Sequence, residues 1–400
     1  MRVSEFPRYD GVTAKEIDVP RTAPASTAAR TPVPIADLMR QIVSIPTASF
    51  REEHVVAALR TFAEERGLAF REVAGGNVLI EYRKGSGRRP LILGAHMDHP
   101  GFVVRAVRGK RITLAFRGGI GATYGKGERV RIYGTDGEAR GTATLTAVDA
   151  SKAPYAGRLV GATATLDTGS SAEVGDYALW DVDVCRIRGQ IVHARQCDDL
   201  AGAVSILAAL DRMVACGAPG HVLGLFTRAE EVGLVGAAAV ARAHALPEGA
   251  LVVAVECSSM AGGRAVQGGG PIIRVGDVQH IFSPRVTMWM TQVARELAAE
   301  DPTFHYQRKL MDGGTTEATA YNLMGYETGA ACMALGNYHN AGPRGRVAAE
   351  TVHLGDVEGL ARLFERMARD TRRVDSIHLD ATRRWQGIGR EASKRLKAGE

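Results

Sequence analysis

The chain has 400 residues, 45% of them hydrophobic and 24% charged, the composition of an ordinary globular protein long enough for two domains. No apolar run reaches membrane-spanning length, and no charged segment followed by an apolar stretch opens the sequence, so no membrane partner is expected and a cytoplasmic location is. The formal net charge is +6, with much of the excess around Arg383-Arg384 and Lys394-Arg395-Leu396-Lys397; without interleaved aromatics this reads as a solvated basic tail and excludes a nucleic-acid partner.

In chain order, residues 1–33 carry prolines, threonines and alanines without periodicity and read as an extension. Apolar spacing predicts helices over 36–45 and 52–66, separated by Pro46, then strands over 69–73, 77–82 and 90–95. The last of these is almost wholly apolar, as a central covered strand should be, and it runs into His96-Met97-Asp98-His99-Pro100. From Gly101 to Arg188 the texture changes to alternating runs, such as 111–116 and 129–133, broken by Gly and Asp-Gly turns. Helical and apolar-strand texture resumes at 190–193, and Asp198-Asp199 precedes a helix over 200–214. A strand over 221–226 leads to Glu230-Glu231 and a Gly- and Ala-rich helix; a strand over 250–255 ends in Glu256. Helices over 283–299 and 313–323, a strand over 327–335 ending near His339, and a last amphipathic helix over 356–372 follow. The predicted organisation is an α/β domain from residues 34–100 and 189–375, a β-rich domain at 101–188 inserted into it, and a basic tail at 376–400.

Five predicted strand ends carry metal-ligating types: His96, Asp198, Glu230 with Glu231, Glu256 and His339. Ends of strands in an α/β sheet converge on one edge, where ligands bind. Two imidazoles and several carboxylates form a nitrogen and oxygen set suited to zinc, and also to cobalt or manganese. The carboxylates are too many for one catalytic zinc and suit two ions roughly 3.5–4 Å apart, which polarise a carbonyl and activate water. One carboxylate must then stay free as general base. Adjacent side chains point in different directions, so Glu230 and Glu231 are expected to have different tasks. Cys185, Cys197, Cys216, Cys257 and Cys332 are scattered with no Cys-x-x-Cys pair, which argues against a disulfide framework or a zinc finger.

The order of His96-x-Asp98, Asp198-Asp199, Glu230-Glu231, Glu256 and His339 resembles the dinuclear metallopeptidase clan of leucyl-type aminopeptidases, aminoacylases and carboxypeptidase relatives. With the β insertion between His96 and Asp198, it is similar to the tetrahedral (glutamyl/deblocking) aminopeptidase family; in aminoacylase relatives the extra domain follows the later acid. Residues 76–80, 95–98, 101–104, 125–132, 196–199, 229–233 and 313–315 carry the local likeness, which spans 34–372. The resemblance implies an α/β fold with a mixed-sheet, three-layer catalytic domain and an inserted all-β dimerisation domain. It implies that His96 and Glu256 bind one metal, Glu231 and His339 a second, and that Asp198 bridges them. Glu230 would be the general base, Asp98 would orient His96 through its other ring nitrogen, and Asp199 would help fix the turn. Departures from the family are His99-Pro100 in place of Glu and an aliphatic residue, Thr316 in place of Asp, Glu256 in place of Asp, and a longer N-terminal extension.

The expected function is a peptide-cleaving aminopeptidase with two divalent ions, zinc first among them. The resemblance also implies a homo-oligomer, dimeric through the β insertion and assembling up to a dodecamer. The departures at His99 and Thr316 keep open a deacylase or amidohydrolase of small N-acylated substrates. A metal-bearing scaffold without catalysis leaves the Glu230 base unexplained, and a glycosidase leaves the two histidines without a role.

Overall fold

A computed structural model describes residues 30–86, 89–153, 156–263 and 265–399; the predicted extension therefore lies, up to residue 29, outside the described residues. Two helices, α1 (Ile35–Val43) and α2 (Glu53–Arg66), precede β1 (Ala69–Val73), β2 (Asn77–Lys84) and β3 (Leu91–His96). Six strands follow: β4 (Gly101–Arg108), β5 (Arg111–Arg117), β6 (Arg129–Tyr133), β7 (Ala139–Ala150), β8 (Leu159–Leu166) and β9 (Tyr177–Trp180). Then come β10 (Cys185–Arg188), β11 (Ile191–Ala194), α3 (Leu200–Cys216), β12 (Gly220–Thr227), α4 (Val235–Arg242), β13 (Leu251–Ser259) and β14 (Ile272–Arg274). The rest is α5 (Pro284–Glu300), β15 (Gln307–Lys309), α6 (Glu317–Leu323), β16 (Glu327–Leu335), β17 (Glu350–His353), α7 (Leu354–Asp370) and α8 (Arg373–Ala398).

The main sheet has eight strands in the order β1-β2-β12-β3-β13-β16-β14-β15. Its centre, β12-β3-β13-β16, is parallel, while β2 and β14 pair antiparallel with their inner neighbours. Every residue of β3 and β12 is buried, which is why these strands are runs of Leu, Ile, Val, Gly and Ala rather than alternations. One face packs against α1, α2, α3, α5 and α7, the other against α4 and α6. This is the expected mixed-sheet, three-layer α/β arrangement. The parallel centre sets the carboxyl ends of β3, β12 and β16 on one edge, and it is this edge that bears the candidate site.

Strands β4 to β9 close into a separate barrel, ordered β4-β5-β8-β7-β6-β9, with its own core around Phe102, Phe116 and Trp180. The Phe102 and Trp180 rings meet edge to face at 5.0 Å, a favoured geometry for aromatic quadrupoles. Strand β10, which the alternating texture grouped with the insertion, pairs instead with β11, and β11 with β17, in a three-stranded sheet. That places β11 outside the main sheet.

Two further local differences have simple causes. The Gly-initiated helix expected from Gly313 begins only at Glu317, the preceding Asp312 to Thr316 stretch being turn and loop. The helix expected to be last is followed by α8, 26 residues long. Its apolar residues Val374, Ile377, Ala381, Trp385, Ile388, Ala392 and Leu396 recur at steps of three and four, a helical period that the surrounding cations mask. Among the described residues no helix is long and apolar enough to cross a membrane.

Candidate metal and catalytic centre

The five ligand-type positions, scattered over more than two hundred residues of chain, meet at the carboxyl edge of the parallel strands. His96 closes β3, Glu230 and Glu231 form a short turn just past β12, Glu256 lies within β13, and His339 lies just beyond β16. Asp198 arrives from the other direction, on the loop between β11 and α3. Glu256 is not the strand's last residue, because β13 runs on to Ser259. Ligand atoms of His96, Asp198 and Glu256 lie within 4.8 Å of one another, as do those of Asp198, Glu231 and His339, and those of His96, Glu230 and Glu231.

Asp198 is the member shared by the first two groups. His96 Nε2 lies 3.5 Å from its Oδ1, and His339 Nε2 lies 3.7 Å from its Oδ2. His339 Nε2 is also 3.2 Å from Glu231 Oε1. In both rings the other nitrogen is already engaged by a carbonyl: His96 Nδ1 with Asp98 O at 3.0 Å, and His339 Nδ1 with Gly119 O at 2.6 Å. A carbonyl requires Nδ1 to carry the hydrogen, so in each neutral ring the Nε2 lone pair faces carboxylate oxygen. Lone pair against lone pair is repulsive unless a cation stands between them. The buried oxygens Asp198 Oδ1, Glu231 Oε1 and Glu256 Oε1 also have no hydrogen-bond partner, a costly arrangement for buried acceptors. The residues thus fit bound divalent metal.

The electrostatics point the same way. Burial opposes protonation of His96, but Asp198, Asp98 and Glu230 outweigh it and raise its pKa well above the ordinary imidazole value. Burial likewise opposes protonation of His339, and Glu231 and Asp198 raise its pKa to about 9. Burial and the nearby Asp198 charge push Glu256 up to about 8. Burial, with Glu256 and Glu231 beside it, also raises Glu230. Such a cluster is short of positive charge, whether a proton or a metal supplies it.

Asp98 meets the other ring nitrogen of His96, chiefly through its backbone. The nearer partner of the His96 ring is its backbone carbonyl, with the carboxylate Oδ1 at 3.6 Å. The carboxylate instead accepts from Ser49 Oγ at 2.7 Å, Glu230 N at 2.8 Å and Glu231 N at 3.2 Å. Asp98 therefore couples His96 to the Glu230–Glu231 turn. Asp199 makes no side-chain cap bond at the start of α3, and the Asp198–Asp199 peptide bond is cis.

Further residues support the cluster. Glu350, fully buried, accepts from Cys197 N, Asp198 N and His339 N at 2.8, 3.0 and 2.8 Å. His99 bridges Asp198 O at 2.9 Å and Asn340 Oδ1 at 3.0 Å. The Tyr338 ring stacks on His339 with centroids 3.8 Å apart. Glu317, buried beside Thr227, has its pKa pushed up to about 7 by burial. The barrel also takes part, since the Gly119 carbonyl that fixes the His339 ring belongs to its β5–β6 connection. Glu350 opens the short strand Glu-Thr-Val-His, whose composition gives no signal of this role.

The family model for M42 glutamyl aminopeptidase matches residues 76–363. Among solved structures, an aminopeptidase from the archaeon Desulfurococcus kamchatkensis superposes with a TM-score of 0.71 at 21% identity, covering 86% of this chain and 97% of its own. The TET1 peptidase of Pyrococcus horikoshii gives 0.68 at 23% identity, covering 84% of this chain and 99% of its own. A TET aminopeptidase from a marine sediment archaeon of the Thaumarchaeota gives 0.68 at 21%, covering 86% and 99%. At these identities the structural likeness establishes the shared fold, while the family match spans most of the chain, from the strand before His96 to α7. The chain belongs to the M42 glutamyl aminopeptidase family.

Proposed function

We propose that the protein is a metal-dependent aminopeptidase that removes N-terminal residues from peptides with a cocatalytic pair of divalent ions. The observation that carries this reading is the approach of two imidazole Nε2 atoms to opposite oxygens of the single carboxylate of Asp198, at 3.5 and 3.7 Å. His96 and Glu256 would hold one ion, Glu231 and His339 the other, with Asp198 shared. Zinc suits this nitrogen and oxygen set best, with cobalt or manganese as alternatives. When bound, such ions polarise a carbonyl and make water acidic near neutrality.

The chain's own residues supply the rest. Glu230 is the one carboxylate of the group left without a ligand's task, and its Oε2 lies 3.9 Å from His96 Nε2. It takes the proton from the attacking water and returns it to the departing nitrogen. A raised pKa suits a group that must hold that proton between the two steps. Asp98, bonded to the Glu230 and Glu231 amides, keeps the base and its neighbouring ligand in register. A cavity of about 110 Å³ beside Glu256 has Arg274 on its wall. The arginine is held by Ser258 Oγ and the Met311 carbonyl, and its positive charge beside the cavity favours an acidic N-terminal side chain, in accord with the family's description.

We also propose a homo-oligomer joined through the barrel. The Pyrococcus horikoshii TET1 peptidase can form a tetrahedron or a large octahedral shell, and this chain shares its fold.

The test is hydrolysis of free and N-acetylated aminoacyl fluorogenic substrates by wild type and Glu230→Gln, with metal content measured in both. Free substrates should turn over, and the variant should keep its metal while losing about 10²–10⁴-fold in rate. Turnover of blocked substrates alone would replace this reading with a deacylase. An unimpaired Glu230→Gln would remove the base.

A further inference from the structure

Two hollows open from the acid and imidazole cluster, and they differ in size. The cavity of about 110 Å³ is lined by Glu256, Arg274, Met311 and Tyr338 among others. The other is a groove of about 920 Å³ that has Glu230 and Glu231 on its wall and lies between the barrel connection at residues 118–121 and α6. Removing residues one at a time requires this asymmetry: room for one side chain on the amino side of the scissile bond, and an open path for the remaining peptide on the other. The proton held by Glu230 must reach the departing nitrogen, so the departing chain lies where Glu230 is, in the groove.

The wall of the groove built from the α4 and α6 regions is apolar, made by Leu234, Ala238, Ala320, Leu323 and Met324. Leu323, the last residue of α6, is 62% exposed, and Met324 is 48% exposed. Neither belongs to a core cluster, so folding alone does not account for them. Large apolar side chains left in water next to a reaction centre mark a surface that a ligand covers.

We infer that this wall seats the side chain following the scissile bond, and that the enzyme selects peptides whose second residue is apolar and about the size of leucine. The inference rests on the aminopeptidase reading above and adds a second point of recognition to it. A leucine laid on this wall loses part of its own apolar surface to solvent exclusion and covers Leu323 and Met324 as well. A charged second residue gives up hydration there and gains no partner, because the charged groups of the groove lie at the catalytic turn and on the barrel side. Covering half of a leucine side chain corresponds to about tenfold in affinity.

The test uses tripeptides with one common N-terminal residue and leucine, alanine, glutamate or lysine in second place, cleaved by the metal-loaded full chain. Wild type should favour leucine over glutamate and lysine by about tenfold or more in kcat/KM. Leu323→Glu should lower the leucine-to-lysine ratio by at least that factor, since a carboxylate on the wall pairs with the lysine ammonium. Each ratio is taken within one protein preparation, so partial loss of folded enzyme cancels. Cleavage of all four peptides at rates within about twofold, or an unchanged ratio in Leu323→Glu, would overturn the inference and leave the aminopeptidase reading intact. Failure to cleave any peptide would overturn both.

Discussion

Glu350 offers the sharpest test of how the centre is held together, because one buried carboxylate ties both loops that carry the proposed ligands Asp198 and His339. Its Oε2 accepts the amides of Cys197 and Asp198, and its Oε1 accepts the amide of His339. Burial and the Asp198 charge raise its pKa well above the ordinary carboxylate range although the donated amides pull the other way; both oxygens nonetheless act only as acceptors, the bonding pattern of an ionised group. Glu350→Gln keeps the shape and removes one acceptor. With its amide nitrogen toward His339 N the variant loses one bond, and the other way round it loses two. In either orientation two N–H groups point at each other in a buried space. A hydrogen bond to a charged group contributes about 1.5–3 kcal/mol, so the variant should lose about 2–4 kcal/mol of stability. Because the displaced groups carry Asp198 and His339, metal affinity should fall about 10–100-fold, as it does when support behind a ligand is removed. Urea unfolding of the metal-free protein measures the first quantity, and titration of the ion against a competing chelator measures the second. A variant that matches wild type in both would refute the claim that Glu350 holds the two loops together. Loss of stability with unchanged metal affinity would refute the half that concerns the ligands.

Two further outcomes follow from the same geometry. Glu327 accepts from Arg285 Nε and Arg89 at 2.8 Å, and Arg285 above all holds its carboxyl down at about 2. An acid with a depressed folded pKa contributes stability that is complete above the unfolded value of about 4.3 and disappears as pH falls through the folded one. Wild type should therefore lose about 1–2 kcal/mol more than Glu327→Gln between about pH 5 and pH 2, a figure reduced for the solvent that reaches the pair; parallel denaturation curves would contradict it. Gly236→Ala would set a Cβ 2.4 Å from Asn77 Oδ1 and 2.5 Å from Arg228 O. It should cost about 1–3 kcal/mol in a thermal melt and lower turnover through the adjoining Glu230–Glu231 turn, and a variant equal to wild type in both would show that the turn is free to shift.

What the sequence reveals about this centre depends on how each residue is signalled. His96 follows a wholly apolar run, and β3 is buried from end to end; the run alone marks a central strand and so marks what stands at its end. The same holds for the Glu230–Glu231 turn after β12 and for His339 after β16. Asp198 could be picked out as an acid preceding a long helix, but not placed: its strand, β11, pairs with β10 and β17 rather than with the main sheet. Hydrophobic period identifies a strand without naming its neighbours. Strand β10 illustrates this, since alternation reads alike in a barrel and in a small flanking sheet.

The residues that support the ligands are harder to find, for a physical reason. Glu350 acts through backbone amides, which nearly every residue carries, so no pairing of side-chain types announces it, and much of what His99 and Asp98 do runs through backbone groups as well. The bonds of Glu350 to Cys197 and Asp198 span more than 150 positions. Asp98 shows the consequence: the spacing His96-x-Asp98 suggests a carboxylate behind an imidazole, yet the nearer partner of that ring is the Asp98 carbonyl, and its carboxylate is committed to the turn that carries Glu230 and Glu231. A ligand set can be read from chemistry and order, because a metal restricts residue type. The scaffold that aims it cannot, because an amide hydrogen donates to any well-placed oxygen. On this argument Glu350 and Asp98 should matter to the proposed metal centre as much as some of its ligands do, although neither is assigned to touch an ion.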